Sequence, residues 1–171
     1  MELTEVIKNR KSIRDYKDTP VPEDKLQKVL EAARLAQSGA NRQEWKFVVV
    51  RDANKREVLC HAAGGQKHVG QAPVIIAAVS TAPEKMMKCE VPSGPVNVSI
   101  AIDHMTLVAH EEGLGTCWIG AFSQEESRGI LEIPESCTII ALLTLGFPNQ
   151  EGKEKTRKTM EEIVCYDTYK E

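Results

Sequence analysis

A sheet covered by helices is the fold class that this 171-residue chain predicts. Three runs of strand length, the β-branched Trp45–Val50 and the largely apolar Pro73–Val79 and Thr138–Gly146, are separated by stretches whose apolar residues recur at helical spacing. The last two read as buried strands that need cover on both faces, and amphipathic helices need a surface to bury one side against. No repeat, low-complexity tract or linker divides the chain, so one domain over residues 1–171 is expected. These patterns leave the order of the strands open.

The elements follow in turn. Leu3, Val6 and Ile7 predict a short first helix ending near Arg10. Pro20 and Pro22 mark a turn, and Asp24 lies near the start of a second helix with a stripe of Leu26, Val29, Leu30, Ala33 and Ala36. That helix stops in Gln37-Ser38-Gly39-Ala40-Asn41, and the first strand, Trp45–Val50, follows. Residues 53–63 read as a helix closed by Gly64-Gly65, before the buried strand Pro73–Val79. Residues 81–94, with Pro83, Pro92 and Gly94, are expected to be an irregular flap or substrate loop. A long helix over Val96–Glu112 is apolar on more than one side, which places it at the centre or at a subunit interface; Gly113 caps it. Thr116–Ile119 is a short strand, Gln124–Leu131 a short helix, and Thr138–Gly146 the last buried strand. Residues 149–158 form a polar, basic tail.

Composition narrows the functional classes. Hydrophobic residues at 42% and charged residues at 27% describe an ordinary globular protein able to bury a core. Aromatics at 5% and a net charge of -3 argue against nucleic acid as the ligand. The five cysteines are widely spaced with no CxxC pair, which predicts neither a metal site nor a disulfide framework. The opening Met-Glu-Leu-Thr-Glu lacks the features of a signal peptide, and no apolar stretch reaches the length of a membrane span. A cytoplasmic location is expected, with no membrane partner.

Four segments hold residues that packing does not require. Arg10-Lys11-Ser12-Ile13-Arg14 gathers three cations and a hydroxyl, while Glu2, Glu5 and Asp15 interrupt any continuous basic face. Such a knot suits one compact dianion, such as the terminal phosphate of a mononucleotide cofactor; it also fits a solvated basic helix end. Ser38-Gly39-Ala40-Asn41-Arg42-Gln43 is rich in amides that can read the edge of a heterocycle, or it is a plain connecting loop. Residues 113–122, Gly-Leu-Gly-Thr-Cys-Trp-Ile-Gly-Ala-Phe, set glycines on both sides of a short strand. Gly120-Ala121 would let backbone N–H groups approach a flat ligand; the alternative is a helix cap followed by a bulged strand. This is no dinucleotide fingerprint, because the glycines follow a helix and the third is missing. Lys155-Thr156-Arg157-Lys158 is a solvated tail unless folding returns it to Arg10 and Arg14.

In order and spacing, these segments resemble the nitroreductase family of FMN-dependent oxidoreductases, in its short form. The likeness spans nearly the whole chain. The family's R-R-S-x-R appears as Arg10–Arg14, and its A-P-S-x-x-N-x-Q-P-W as Ala36–Trp45. G-L-G-T-C-W-I-G-A-F is complete at 113–122, and K-x-R appears as Lys155-Thr156-Arg157 before Met160-Glu161-Glu162. Gln37 and Glu44 stand where the family has prolines, and Thr156 and Thr159 where proline is common, which bears on loop stiffness. Glu44 also brings a negative charge near the expected flavin.

The resemblance implies an α+β fold: a three-layer α/β/α sandwich with a mainly antiparallel central sheet, assembled as an intertwined homodimer with two FMN sites between subunits. It implies that Arg10, Lys11, Ser12 and Arg14 hold the phosphate and ribityl chain, joined by Lys155 and Arg157. Ser38, Gly39 and Asn41 would reach the flavin held by the other subunit, with Gln43 nearby. Gly120 and Ala121 would offer N–H groups toward flavin N5 and its neighbouring carbonyl, Ile119 belongs to the same cofactor-binding set, and Gln66 would approach the pyrimidine edge. The implied reaction is ping-pong: NADH or NADPH gives hydride to the flavin, and a small electrophilic acceptor such as a nitroaromatic or quinone then takes it. The flavin does this chemistry, so no catalytic side chain and no metal are expected. Another flavin reaction on the same fold (dehalogenation, flavin fragmentation, heterocycle oxidation) or a non-catalytic flavin-binding or redox-sensing dimer is the alternative. His61, His68, His104 and His110 are the side chains that titrate near neutrality, and His104 and His110 are expected to serve packing or an interface.

Overall fold

In the computed structural model, which describes residues 1–170, the four strands β1 (Trp45–Val50), β2 (Val74–Ser80), β3 (Gly115–Ile119) and β4 (Thr138–Gly146) form one sheet. Their order is β1-β2-β4-β3 and every pair is antiparallel. Side chains alternate between the faces of a strand, so the all-apolar β2 feeds two cores. Val74, Ile76 and Ala78 pack on one side with Leu26, Val29 and Ala33 of α2 (Glu23–Arg34) and Val98, Ile102 and Met105 of α5 (Ser93–Glu111). Ile75, Ala77 and Val79 pack on the other side with Leu59 of α3 (Ala53–Ala62) and Val69 of α4 (Lys67–Gln71); Ile130 of α6 (Gln124–Leu131) joins them. The result is the expected three-layer α/β/α sandwich. A register shift between Ala78 and Val79 lets Ile139 and Leu142 share a face despite their odd spacing.

The remaining helices are short: α1 (Leu3–Asn9) leans on α5, and α7 (Met160–Ile163) lies in the C-terminal arm. The long helix begins at Ser93, three residues before the expected start, because Pro95 falls in its first turn, where a missing N–H costs nothing. The segment before it is a small hairpin rather than an irregular flap. Met86 bridges Pro92, the Met87 N–H donates to Val91 O at 2.9 Å, and Glu90 turns the chain with a φ of 61°. α5 ends in a Schellman cap: Gly113 adopts a φ of 75°, and Leu114 N–H bonds back to Ala109 O at 2.8 Å. No helix among the described residues is long and apolar enough to cross a membrane.

Candidate functional site

The chain after α1 runs extended along the free edge of β3. Ser12 bridges Thr116 in parallel, and Ile13 N–H donates to Thr116 O at 2.9 Å. Alternation turns Ile13 inward, where it is 7% exposed, and leaves Ser12 and Arg14 on the opposite side. Two glycines permit this approach. A Cβ on Gly115 would lie 2.5 Å from Ile13 Cγ1, and one on Gly152 would lie 2.6 Å from Lys11 Cβ. The C-terminal arm therefore crosses directly over the basic knot.

That crossing brings together residues about 140 positions apart. Arg10, Lys11, Ser12 and Arg14 face Lys155 and Arg157 across a cleft of about 250 Å³. None of these five cations has a carboxylate within ion-pair distance among the described residues. Lys155 donates to Ile7 O at 2.9 Å, and partial burial lowers its pKa, with the charges of Arg10, Arg157 and Lys11 adding to the effect. Like charges this close repel one another unless an anion sits among them. The donors, two flexible ammonium groups and three planar forks with a hydroxyl between, match a phosphate monoester. The residues present thus fit the phosphate end of FMN.

The far end of β3 divides in use. The Ile119 side chain, 3% exposed, belongs to the core and leaves only its backbone at the site. Gly120 and Ala121 are exposed, and a Cβ on Gly120 would meet nothing closer than Trp118 Nε1 at 3.9 Å. Gln66, at the start of α4, donates to Ala121 O at 3.1 Å and Ala63 O at 2.9 Å, lining a cavity with Ala121 and Phe122.

The sequence singles out His68 only as one of four titratable histidines and does not single out Asn97. His68, on α4, has a buried Nε2 with no hydrogen-bond partner, and its pKa is lowered by burial and then by the Arg14 charge. Its helix has only five residues, too few to show a periodicity. Asn97, buried on α5, accepts from Gly39 N–H at 3.1 Å; an amide flanked by Val96 and Val98 in the apolar first half of the helix was the available signal.

The Ser38–Gln43 loop is not beside the cation cleft. It is a tight turn in which Ala40, Asn41 and Gln43 have φ values of 53°, 54° and 54°. The Gln43 N–H donates to Ser38 Oγ at 3.0 Å, and its side-chain amide donates to Asn41 O at 3.1 Å. The loop precedes β1, the edge strand opposite β3. It is tied to Asn97, whereas His110 feels the charges of Arg10 and Lys155 at the other end of α5. At 1.5 Å per residue those two points are about 20 Å apart. Glu44, next to the loop, pairs with Lys85 at 2.5 Å, so its charge is engaged by the hairpin.

The protein is thus an antiparallel sheet clad by helices, with a cation cleft by one edge strand and an amide-rich loop leading into the other. Residues 7–64 and 55–147 match the profile of the Nitroreductase family, and the chain belongs to that family. It is 30% identical to a NADH dehydrogenase of Thermus thermophilus over 92% of this chain and 92% of that protein. It is also 30% identical to an FMN reductase (NAD(P)H) of Bacillus subtilis, over 98% of this chain and 75% of that protein. Among solved structures, a nitroreductase family protein from Clostridium difficile is similar with a TM-score of 0.89 and 30% identity, covering 99% of this chain and 100% of that one.

Proposed function

We propose that residues 1–171 form one flavin-binding domain of an FMN-dependent NAD(P)H oxidoreductase, which passes hydride from NADH or NADPH to a small electrophilic acceptor such as a nitroaromatic or quinone. The observation that carries this reading is the cluster of five cations, drawn from both ends of the chain, without carboxylate partners among the described residues. The relative from Bacillus subtilis, an FMN reductase, supports it. FMN, when bound, supplies the two-electron chemistry. Arg10, Lys11, Ser12, Arg14, Lys155 and Arg157 hold its phosphate end. Backbone groups of Ile119, Gly120 and Ala121 flank the ring, and His68 brings an unused nitrogen to the same side as Arg14.

The functional unit in this reading is a homodimer in which Ser38, Gly39, Asn41 and Gln43 complete the site of the other subunit. Exposed apolar side chains support that assembly. Leu3 is 63% exposed on α1, and the C-terminal arm leaves Tyr166 and Tyr169 at 81% and 86%. Apolar groups left this exposed, on α1 and at the end of the arm, call for a second surface.

Purified protein is expected to be yellow and to release FMN on denaturation, at about one per subunit in a twofold-symmetric dimer. NADH or NADPH is expected to bleach it under anaerobic conditions, which separates a reductase from a passive flavin carrier. Release of FAD, or a colourless protein that fails to take up added FMN, overturns the reading.

A further inference from the structure

The cradle segment lies outside the sheet, and something must fix its position. Its backbone is tied by Ile13 N–H to Thr116 O and by Lys17 N–H to Phe147 O, both at 2.9 Å. Between these points the Ile13 carbonyl has no strand partner. Tyr16, buried at the bend, donates its hydroxyl to that carbonyl at 2.8 Å. The Tyr16 oxygen lies 2.6 Å from Thr144 Oγ1, and Thr144 stands fully buried on β4. With the Tyr16 proton on Ile13 O, the Thr144 hydroxyl donates to Tyr16. The Thr144 oxygen in turn accepts the Cys117 N–H of β3 at 3.2 Å. The same Thr144 oxygen lies 3.3 Å from Cys117 O, a longer contact than the 2.6 Å to Tyr16, so its single proton has its shorter partner in Tyr16.

We infer that Tyr16 and Thr144 are positioning residues of the phosphate cradle, linking it to the central strand β4 and setting the direction of Ser12 and Arg14. The physical reason is peptide planarity. Ile13 N–H belongs to the peptide plane shared with Ser12, and Ile13 C=O to the plane shared with Arg14. Thr116 holds the first plane and Tyr16 the second, so the two residues that flank Ile13 leave it at set angles. Burial raises the Tyr16 pKa well above its ordinary value, with the Thr144 contact opposing the rise, so the hydroxyl stays a donor across the working pH range. Ile13 itself is seated beside Gly115 and Tyr16, which leaves the planes little freedom to rock. A donor array preorganised in this way does not lose entropy to ordering when the anion arrives.

This inference rests on the phosphate-binding reading, and riboflavin, which is FMN without its phosphate, separates the two. Full-length protein freed of flavin is titrated with FMN and with riboflavin, following flavin fluorescence. Tyr16→Phe and Thr144→Val should each weaken FMN about three- to tenfold, as expected for one hydrogen bond, and leave riboflavin within about twofold. Thr144→Ser, which keeps the hydroxyl, should restore the wild-type ratio. If FMN and riboflavin weaken alike, or neither changes, the positioning role is overturned. Arg14→Ala is the control for the underlying reading: if it leaves the FMN-to-riboflavin ratio unchanged, the phosphate assignment itself fails. Should Tyr16→Phe not fold, the Thr144 pair of variants decides the question.

Discussion

A methyl group on Gly152 would stand 2.6 Å from Lys11 Cβ and 3.0 Å from the Ser12 carbonyl oxygen, closer than atoms in proteins pack. The arm would have to lift from the cradle. Gly152→Ala is therefore expected to destabilise the protein by about 1–3 kcal/mol, the usual range for overpacking, as read by urea unfolding. Gly115→Ala should act alike, because its added carbon would stand 2.5 Å from Ile13 Cγ1 and 2.8 Å from Ile13 Cβ; an unchanged urea midpoint means that Ile13 is not what Gly115 accommodates. The glycines beside β3 looked equivalent in sequence, but one makes room for a side chain of its own chain and Gly120 faces open space. Histidines give a second test at this scale. Burial first, then the charge of Arg14, lowers the pKa of His68; burial, then Arg10 and Lys155, lowers that of His110. An imidazole whose folded pKa lies below its unfolded 6.5 leaves stability intact above that pH and removes it as pH falls through the folded value. Flavin-free protein should thus melt at progressively lower temperature below about pH 6.5, and His68→Gln/His110→Gln should flatten that slope. An unchanged slope assigns the acid sensitivity to other groups.

The hairpin between β2 and α5 is held at three points. Glu44 pairs with Lys85, Thr81 N–H donates to Glu44 O at 3.2 Å, and Ser93 N–H donates to Lys85 O at 2.8 Å. A proline at 44 would keep the carbonyl and remove the carboxylate, so this departure from the family pattern adds a clasp to the loop. Glu44→Gln should speed amide exchange at Met87 and Ser93 about two- to fivefold, the worth of a partly exposed pair. Unaltered exchange would mean that the backbone bonds alone hold the hairpin. This clasp was invisible in sequence, because Glu44 and Lys85 are 41 positions apart and each looks like an ordinary surface charge. Elements with strong local signals were legible: Gln124–Leu131 and Thr138–Gly146 have the expected bounds. Ser123 caps the first of these, accepting from Glu126 N–H at 3.3 Å, and turn residues bound the second. What stayed hidden was short or non-local. The five-residue α4 shows no period, and the strand-like pairing of residues 12–16 depends on partners at 116 and 148.

At the scale of the whole molecule, sheet order separates the two halves of the candidate site. The cation cleft lies by β3 and the Ser38–Gln43 loop leads into β1, on opposite edges and toward opposite ends of α5. Both halves were legible as motifs, yet their separation was not, since strand order is set by pairings that no local pattern encodes. A single chain cannot close both halves on one ligand; two chains related by a twofold axis can. In the proposed dimer, Asn41 would act on a flavin whose phosphate is held by Arg14 of the other subunit. Arg14→Ala and Asn41→Ala proteins, each impaired alone, should complement when mixed under conditions that allow subunits to exchange. Half of the dimers would be mixed, each with one intact and one doubly altered site, so the mixture should regain about a quarter of wild-type activity; this assumes random pairing and independent sites. Recovery should appear at the rate of subunit exchange and be absent when the dimers are cross-linked beforehand. An active monomer in sedimentation would refute the dimer, and no recovery despite confirmed exchange would refute the shared site.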